Sequence, residues 1–440
     1  MTDIIFSFDT EDFTSNEAAD TIYREAEILR SEGVKGGFCI VGLLASQLMR
    51  WGRQDVIDAL KHHDILTHSY GHSLHPTINE YTDTEDFGVA YSEFINQETE
   101  GVRLIKELTE EMDIYGACPP GNQKSYVAMY GYADMGLPIY ADTVCDTTDG
   151  RGVFYCNIFH TSYTFLLENF LLERSDEEYM KQALDTLAKN KRAIIYTHPH
   201  CAIYTRHWDA INYYQVNKHP FGEWEKAPRR SPEETEQFYD SIKRFVQMIK
   251  EDGRFNITSY SELSKKLKNE PERVIRKSDI HYIREQLCKN FAPIEKTSYS
   301  IADVFLSCKD ILCGEEKHTC GKVYGFLKTP YAVKNKVVLS KEDIVLAAKE
   351  MDTKKFLPTK IRAGNEWIGP ADWLRAAMDV ICGAEEAVVM PDIQLPCFDT
   401  MPALRDVSFR GKWVMSDEFE DKYLSDRLRL QIWTMRFLQE

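Results

Sequence analysis

The sequence contains no run of about 18 apolar residues, the minimum for a membrane-spanning helix, so no span is expected. No basic stretch followed by a long apolar core stands ahead of Ile4, so a secretory leader is not expected either. The eleven cysteines are odd in number and no two are spaced as C-x-x-C. That argues against a disulfide framework or a zinc knuckle and favours a reducing, cytoplasmic compartment. Positive charge is in deficit: 53 Lys and Arg against 70 Asp and Glu give a net charge of −17. Such a surface repels nucleic acid and anionic membranes, so neither is expected as a partner. Internal repeats and low-complexity tracts are also lacking.

What is there is a soluble composition, 43% hydrophobic and 28% charged over 440 residues, enough for two or three domains. In the first 265 residues short apolar runs alternate with amphipathic segments. Runs at 4–8, 37–41, 64–68, 115–118, 139–143, 193–197 and 255–259 read as buried strands. Segments 16–32, 55–61, 93–111, 125–134, 177–189 and 232–251 read as helices between them. This alternation predicts right-handed βαβ units and a parallel sheet, and their number fits a barrel. Charge density rises after Leu263, and 266–330 reads as a linker and helical segment. Residues 331–440 read as a mostly helical module.

Three polar clusters follow apolar runs: Phe8-Asp9-Thr10-Glu11-Asp12, His68-Ser69-Tyr70-Gly71-His72, and Tyr196-Thr197-His198-Pro199-His200. Parallel strands bring their C-terminal ends to one face, where sites are built. Two histidines four apart can converge on one cation, and two imidazoles with a carboxylate and open positions suit a divalent metal that activates water. A second carboxylate can accept the proton of that water, and a third histidine can protonate the leaving group. Such a set hydrolyses an amide or ester.

The order and spacing resemble the polysaccharide deacetylase (NodB-homology) superfamily, whose motifs read T-F-D-D-G-P, H-[ST]-x-x-H, R-x-P-x-G and a late L-x-H. His68-Ser69-Tyr70-Gly71-His72 fits the second motif fully. The resemblance implies a distorted (β/α) barrel, metal binding by His68 and His72 (usually zinc), Asp9 as base and His198 as acid. The family's metal-binding second aspartate falls on Thr10, as in a divergent D-x-E-D branch, so Glu11 or Asp12 should take over. Glu11 shares a face with Asp9 if the strand continues, and Asp12 reaches instead if the chain turns. In Ala117-Cys118-Pro119-Pro120-Gly121 the motif proline and glycine remain, but Ala117 replaces the arginine that holds the base; Lys124 is a substitute. The aspartate that orients the late histidine falls on Asp142 or Asp146.

Downstream, Arg206-His207-Trp208-Asp209, Asn212 and Trp224 resemble a branch in which H-P-H precedes W-D-x-x-N. With Pro120, Asp142 and His200, Trp208 is a candidate for contacting substrate; the alternative is that Trp208 and Trp224 pack a lid onto the barrel. In the C-terminal module, Ser340 as N-cap with Asp343, then Leu357-Pro358-Thr359-Lys360-Ile361, a short hairpin and a second helix at 371–381 resemble a pseudomurein-binding-repeat module. The competing reading is a helical domain that packs on the barrel or makes a homo-oligomer. Cys308, Cys313, His318 and Cys320 lack zinc-knuckle spacing and read as free thiols.

The expectation from sequence is a metal-dependent hydrolase that removes an acyl group from an N- or O-acetylated carbohydrate or related small molecule. The alternatives are a metal-independent cyclic-amide hydrolase on the same barrel, against which the intact His pair argues, and a non-catalytic carbohydrate-binding protein.

Overall fold

The computed structural model describes residues 1–141, 145–173, 176–287, 291–391, 415–416 and 418–439. The chain forms two compact units: Met1–Gly152, Ile158–Asn269 and Arg405–Leu424 make the first, and Val153–Asn157, Glu270–Leu404 and Ser425–Glu440 the second.

The first unit is built on nine strands, all paired in parallel: β1 (Thr2–Thr10), β2 (Gly37–Ile40), β3 (Asp64–Thr67), β4 (Ile114–Ala117), β5 (Ile139–Ala141), β6 (Ile158–Thr161), β7 (Tyr163–Leu166), β8 (Arg192–Thr197) and β9 (Phe255–Ile257). Their order is β6-β5-β4-β3-β2-β1-β8-β7, with β9 beside the first residues of β1. Within this unit the two outermost strands, β6 and β7, are separated in the chain by Ser162 alone, so the sheet curls until they come together. This is the distorted (β/α) barrel expected from sequence. Strand β1 is buried along nearly its whole length, as a central parallel strand covered on both faces must be.

Helices fill the connections. The helix Pro232–Glu251 begins with Pro232 after the N-cap Ser231, whose hydroxyl accepts from the Glu234 N–H. Its apolar stripe, including Ile242, Phe245 and Ile249, joins the same core as Phe6, Phe8 and Ile195. Residues 265–268, whose charge suggested a linker or helix end, are the last turn of the helix Tyr260–Lys268.

Register places the functional segments. Phe8 pairs with Thr197, so Asp9, near the end of β1, and His198, just past β8, lie side by side. Ile40 pairs with Thr67 and Thr67 with Ala117, so His68 emerges next to Cys118. Leu166 pairs with Tyr196, which brings Glu168 toward His198.

The second unit is mostly helical, with helices Ile280–Leu287, Ile301–Leu312, Lys341–Glu350 and Pro370–Ile381 and three two-stranded antiparallel ribbons. Phe305 packs on Trp373 at 4.8 Å between ring centroids. The expected capping by Ser340 is present: its hydroxyl accepts from the Asp343 N–H at 3.1 Å. The short hairpin pairs Ile361–Ala363 with Glu366–Ile368. Among the described residues, none of the nine cysteines is in a disulfide. Among the described residues, no helix is long and apolar enough to cross a membrane.

Candidate active site

At the C-terminal end of the barrel lies a cavity of about 390 Å³, a small-molecule size. Asp9, Glu11, His68, His72, His198, His207 and Asp209 line it, with Pro119, Tyr163, Tyr196 and Tyr214 as its apolar and aromatic wall.

On one side Glu11 meets both histidines of the H-S-Y-G-H segment. Its Oε2 is 2.8 Å from His72 Nε2 and 3.4 Å from His68 Nε2. The two imidazoles are oriented from behind. His68 Nδ1 is 2.7 Å from the Cys118 carbonyl, which can only accept, so the proton is on Nδ1. His72 Nδ1 is 2.7 Å from Ser73 Oγ, and that hydroxyl donates to Asp209 Oδ2 at 2.9 Å, leaving its lone pairs to accept from the ring. Both rings therefore direct Nε2 toward Glu11, the second-layer pattern of metal-ligating histidines. His68 Nε2 is buried without a hydrogen-bond partner. This donor set, with all three groups buried, suits a divalent cation.

Glu11 is held in turn: Trp208 Nε1 donates to its Oε1 at 3.1 Å. Burial would raise its carboxyl pKa, but His72 and His198 outweigh that and hold it well below the usual range. Asp12 takes another direction. Its Oδ1 accepts from the Thr14 N–H at 2.9 Å and the Thr14 hydroxyl at 2.6 Å, and burial pushes its pKa up to about 7. Of the two carboxylates left open by the sequence, Glu11 is the one grouped with His68 and His72.

Across the cavity stand Asp9 and His198. Tyr163 donates its phenol to Asp9 Oδ1 at 2.6 Å, filling the place expected for an arginine or Lys124. His198 Nε2 is 3.7 Å from Asp9 Oδ2. Its Nδ1 is 2.5 Å from Glu168 Oε1, and its backbone N–H donates to Glu168 Oε2 at 3.0 Å. Burial would lower the His198 pKa, but Glu168, Glu11 and Asp9 together raise it well above the ordinary value. These carboxylates favour the charged form of the imidazole.

The group that orients His198 is thus Glu168 rather than an aspartate. Asp146 instead accepts backbone N–H bonds from Thr147, Gly152 and Ser162, fastening the chain where the sheet edges meet. Asp142 lies outside the described residues. Trp208 is buried and serves Glu11. Trp224 donates to the Tyr213 hydroxyl at 2.7 Å and packs edge-on against Phe13, which also meets Trp208, so these aromatics pack together as the lid reading expects. His200 is buried against His207, with His200 Nε2 3.1 Å from His207 Nδ1, and His207 faces the cavity. Pro120 lies in the loop whose neighbours Pro119 and Gly121 form the wall.

Sequence reading missed Tyr163, Glu168, His207 and Asp209 as site members. Tyr163 and Glu168 sit on and just after a strand too short to show a period. The Trp208-Asp209 pair was visible, but not that its aspartate both lines the cavity and accepts from Ser73 behind His72.

No protein-family model matches the chain, and no curated protein matches it. Solved structures similar to it include a CE4 family pseudoenzyme from Bacillus anthracis, at 13% identity over 60% of this chain and 65% of that one, with a TM-score of 0.35. A family 4 carbohydrate esterase from Streptomyces lividans, solved with acetate, is 10% identical over 58% of this chain and 91% of its own, with a TM-score of 0.32. The Xyl-CE4 domain of a multidomain xylanase from the hindgut metagenome of Trinervitermes trinervoides is 16% identical over 61% of this chain and 93% of its own, with a TM-score of 0.34.

Proposed function

We propose that the barrel is a metal-dependent deacylase that removes an acetyl group from an N- or O-acetylated carbohydrate or a related small acylated molecule. The observation that carries this reading is the convergence of Glu11, His68 and His72 on one side of a cavity whose other side presents Asp9 and His198. A divalent cation held by the first three supplies Lewis acidity to the acyl carbonyl and to water.

The chain's own groups do the rest. Asp9, fixed by the Tyr163 phenol, takes the proton of the attacking water. His198, kept charged by Glu168, gives its Nε2 proton to the departing nitrogen or oxygen. Tyr196 and Tyr214 offer aromatic faces on which a sugar ring can lie.

The test joins metal content to acetate release from a panel of N- and O-acetylated sugars. Purified protein should carry a divalent cation and release acetate, and His68→Ala should lose both. Turnover that persists unchanged under a strong chelator would instead favour the metal-independent cyclic-amide hydrolase. Metal-free protein that turns over none of the panel would sink the deacylase reading.

A further inference from the structure

We propose that His200, Cys201 and His207 form a second cation site, for a thiophilic divalent ion of the zinc class, beside the Glu11–His68–His72 group. None of its three ligands belongs to the first group, so the inference does not depend on the deacylase reading.

The donors already stand near ligand spacing. With Nε2 as the His207 ligand atom, Cys201 Sγ lies 3.8 Å from it and 3.7 Å from His200 Nε2, while the other ring nitrogen, His207 Nδ1, is 3.1 Å from His200 Nε2. With zinc–nitrogen bonds of about 2.0 Å and zinc–sulfur bonds of about 2.3 Å, a tetrahedron places nitrogen pairs about 3.3 Å apart and nitrogen–sulfur pairs about 3.6 Å apart. The three donor atoms lie within 4.8 Å of one another.

Two of the ligands are built into rigid backbone. His200 and Cys201 sit in the single turn Pro199–Ala202, where the Cys201 N–H donates to the His198 carbonyl at 2.9 Å and Arg230 Nε donates to the Cys201 carbonyl at 2.9 Å. His200 and Cys201 are buried, whereas the His207 side chain is 42% exposed and forms the way in. His200 Nδ1, 3.9 Å from Glu11 Oε1, is buried without a hydrogen-bond partner. The Cys201 thiol gives its proton to solvent as it ligates.

The site also has a structural task to do. His207 directly precedes Trp208 and Asp209, which hold Glu11 and, through Ser73, His72. An ion joining His207 to the turn at the end of β8 pins that segment beside the first group.

The full-length protein is loaded with Zn2+ for metal counting and with Co2+ for spectroscopy. A second equivalent of zinc per chain is expected, lost in Cys201→Ser and in His207→Gln. Cobalt should give a thiolate-to-metal charge-transfer band that survives in His68→Ala and in Cys118→Ser but disappears in Cys201→Ser. Circular dichroism establishes that each variant is folded, and if Cys201→Ser does not fold, His207→Gln carries the stoichiometric test. Absence of the band from folded His68→Ala, or a second equivalent that persists in both Cys201→Ser and His207→Gln, overturns the site. Loss of turnover in His68→Ala with the band intact separates the first group from the second.

Discussion

His198 and Glu168 form a two-point contact: the ring Nδ1 and the backbone N–H of the histidine each meet one oxygen of the same carboxylate, at 2.5 and 3.0 Å. This fixes the ring's rotation and tautomer and keeps it charged. Glu168→Gln should leave the fold intact and lower kcat by about 10²- to 10⁴-fold, with little change in KM, because a proton donor is lost rather than a binding contact. Steady-state acetate release checks it; an unchanged kcat would remove Glu168 from the proposed chemistry.

Tyr163→Phe deletes one hydroxyl and keeps a ring that stacks on Tyr196 at 4.2 Å between centroids. A hydrogen bond to a charged group is worth roughly 1.5–3 kcal/mol, so kcat should drop about 10- to 100-fold at nearly constant thermal stability. Loss of stability equal to the loss of rate would mean that the phenol is structural.

Asp209→Asn weakens the bond that makes Ser73 an acceptor for His72. Second-layer changes of this kind cost about 10- to 100-fold in metal affinity. Competition with a chromophoric chelator should show that loss, and an affinity equal to that of the parent would contradict the orientation argued for His72.

His63 predicts a pH dependence remote from the site. Its Nδ1 accepts from the Gly36 N–H at 3.1 Å while Nε2 faces the Ala26 carbonyl at 3.0 Å, so only the neutral ring satisfies both. Burial holds its pKa down at about 4, against 6.5 for a free imidazole. Between those values the unfolded chain binds the extra proton. The contribution is therefore complete above pH 6.5 and is lost as pH falls toward 4, by up to about 3 kcal/mol. Urea midpoints at several pH values should show a shallower acid slope in His63→Gln than in the parent.

Much of this was legible in the sequence because strand ends carry it. Asp9, His68 and His198 each follow a buried run, and the shared C-terminal face of a parallel sheet makes them neighbours before any coordinates exist. The choice between Glu11 and Asp12 was not legible, because it depends on where the chain leaves the strand: Thr10 ends β1, Glu11 still faces the cavity, and Asp12 starts a turn with Thr14. Tyr163 and Glu168 were invisible for another reason. The segment Tyr163–Leu166 is only four residues long and partly exposed throughout, so it has neither the alternation nor the apolar run that announces a strand. Its neighbour β6 is buried at every position but is likewise only four residues long.

Below the His68–His72 segment three backbones meet. A Cβ added at Gly42 would lie 2.7 Å from the Gly101 Cα and 3.2 Å from the Tyr70 carbonyl oxygen, and one added at Gly101 would lie 3.0 Å from the Tyr70 Cα. Gly42→Ala should therefore cost about 1–3 kcal/mol and weaken cation binding together, readable in one titration of thermal stability against added zinc.

That junction ties the loop between His68 and His72, where Ser69 and His72 both take positive φ, to the long helix Phe87–Leu108. A cation gripping the two histidines opposes any opening that parts the loop from the helix. Amide protons of Phe87–Leu108, which touch no ligand, should accordingly exchange with solvent more slowly as zinc is added, making a distant helix the reporter of occupancy.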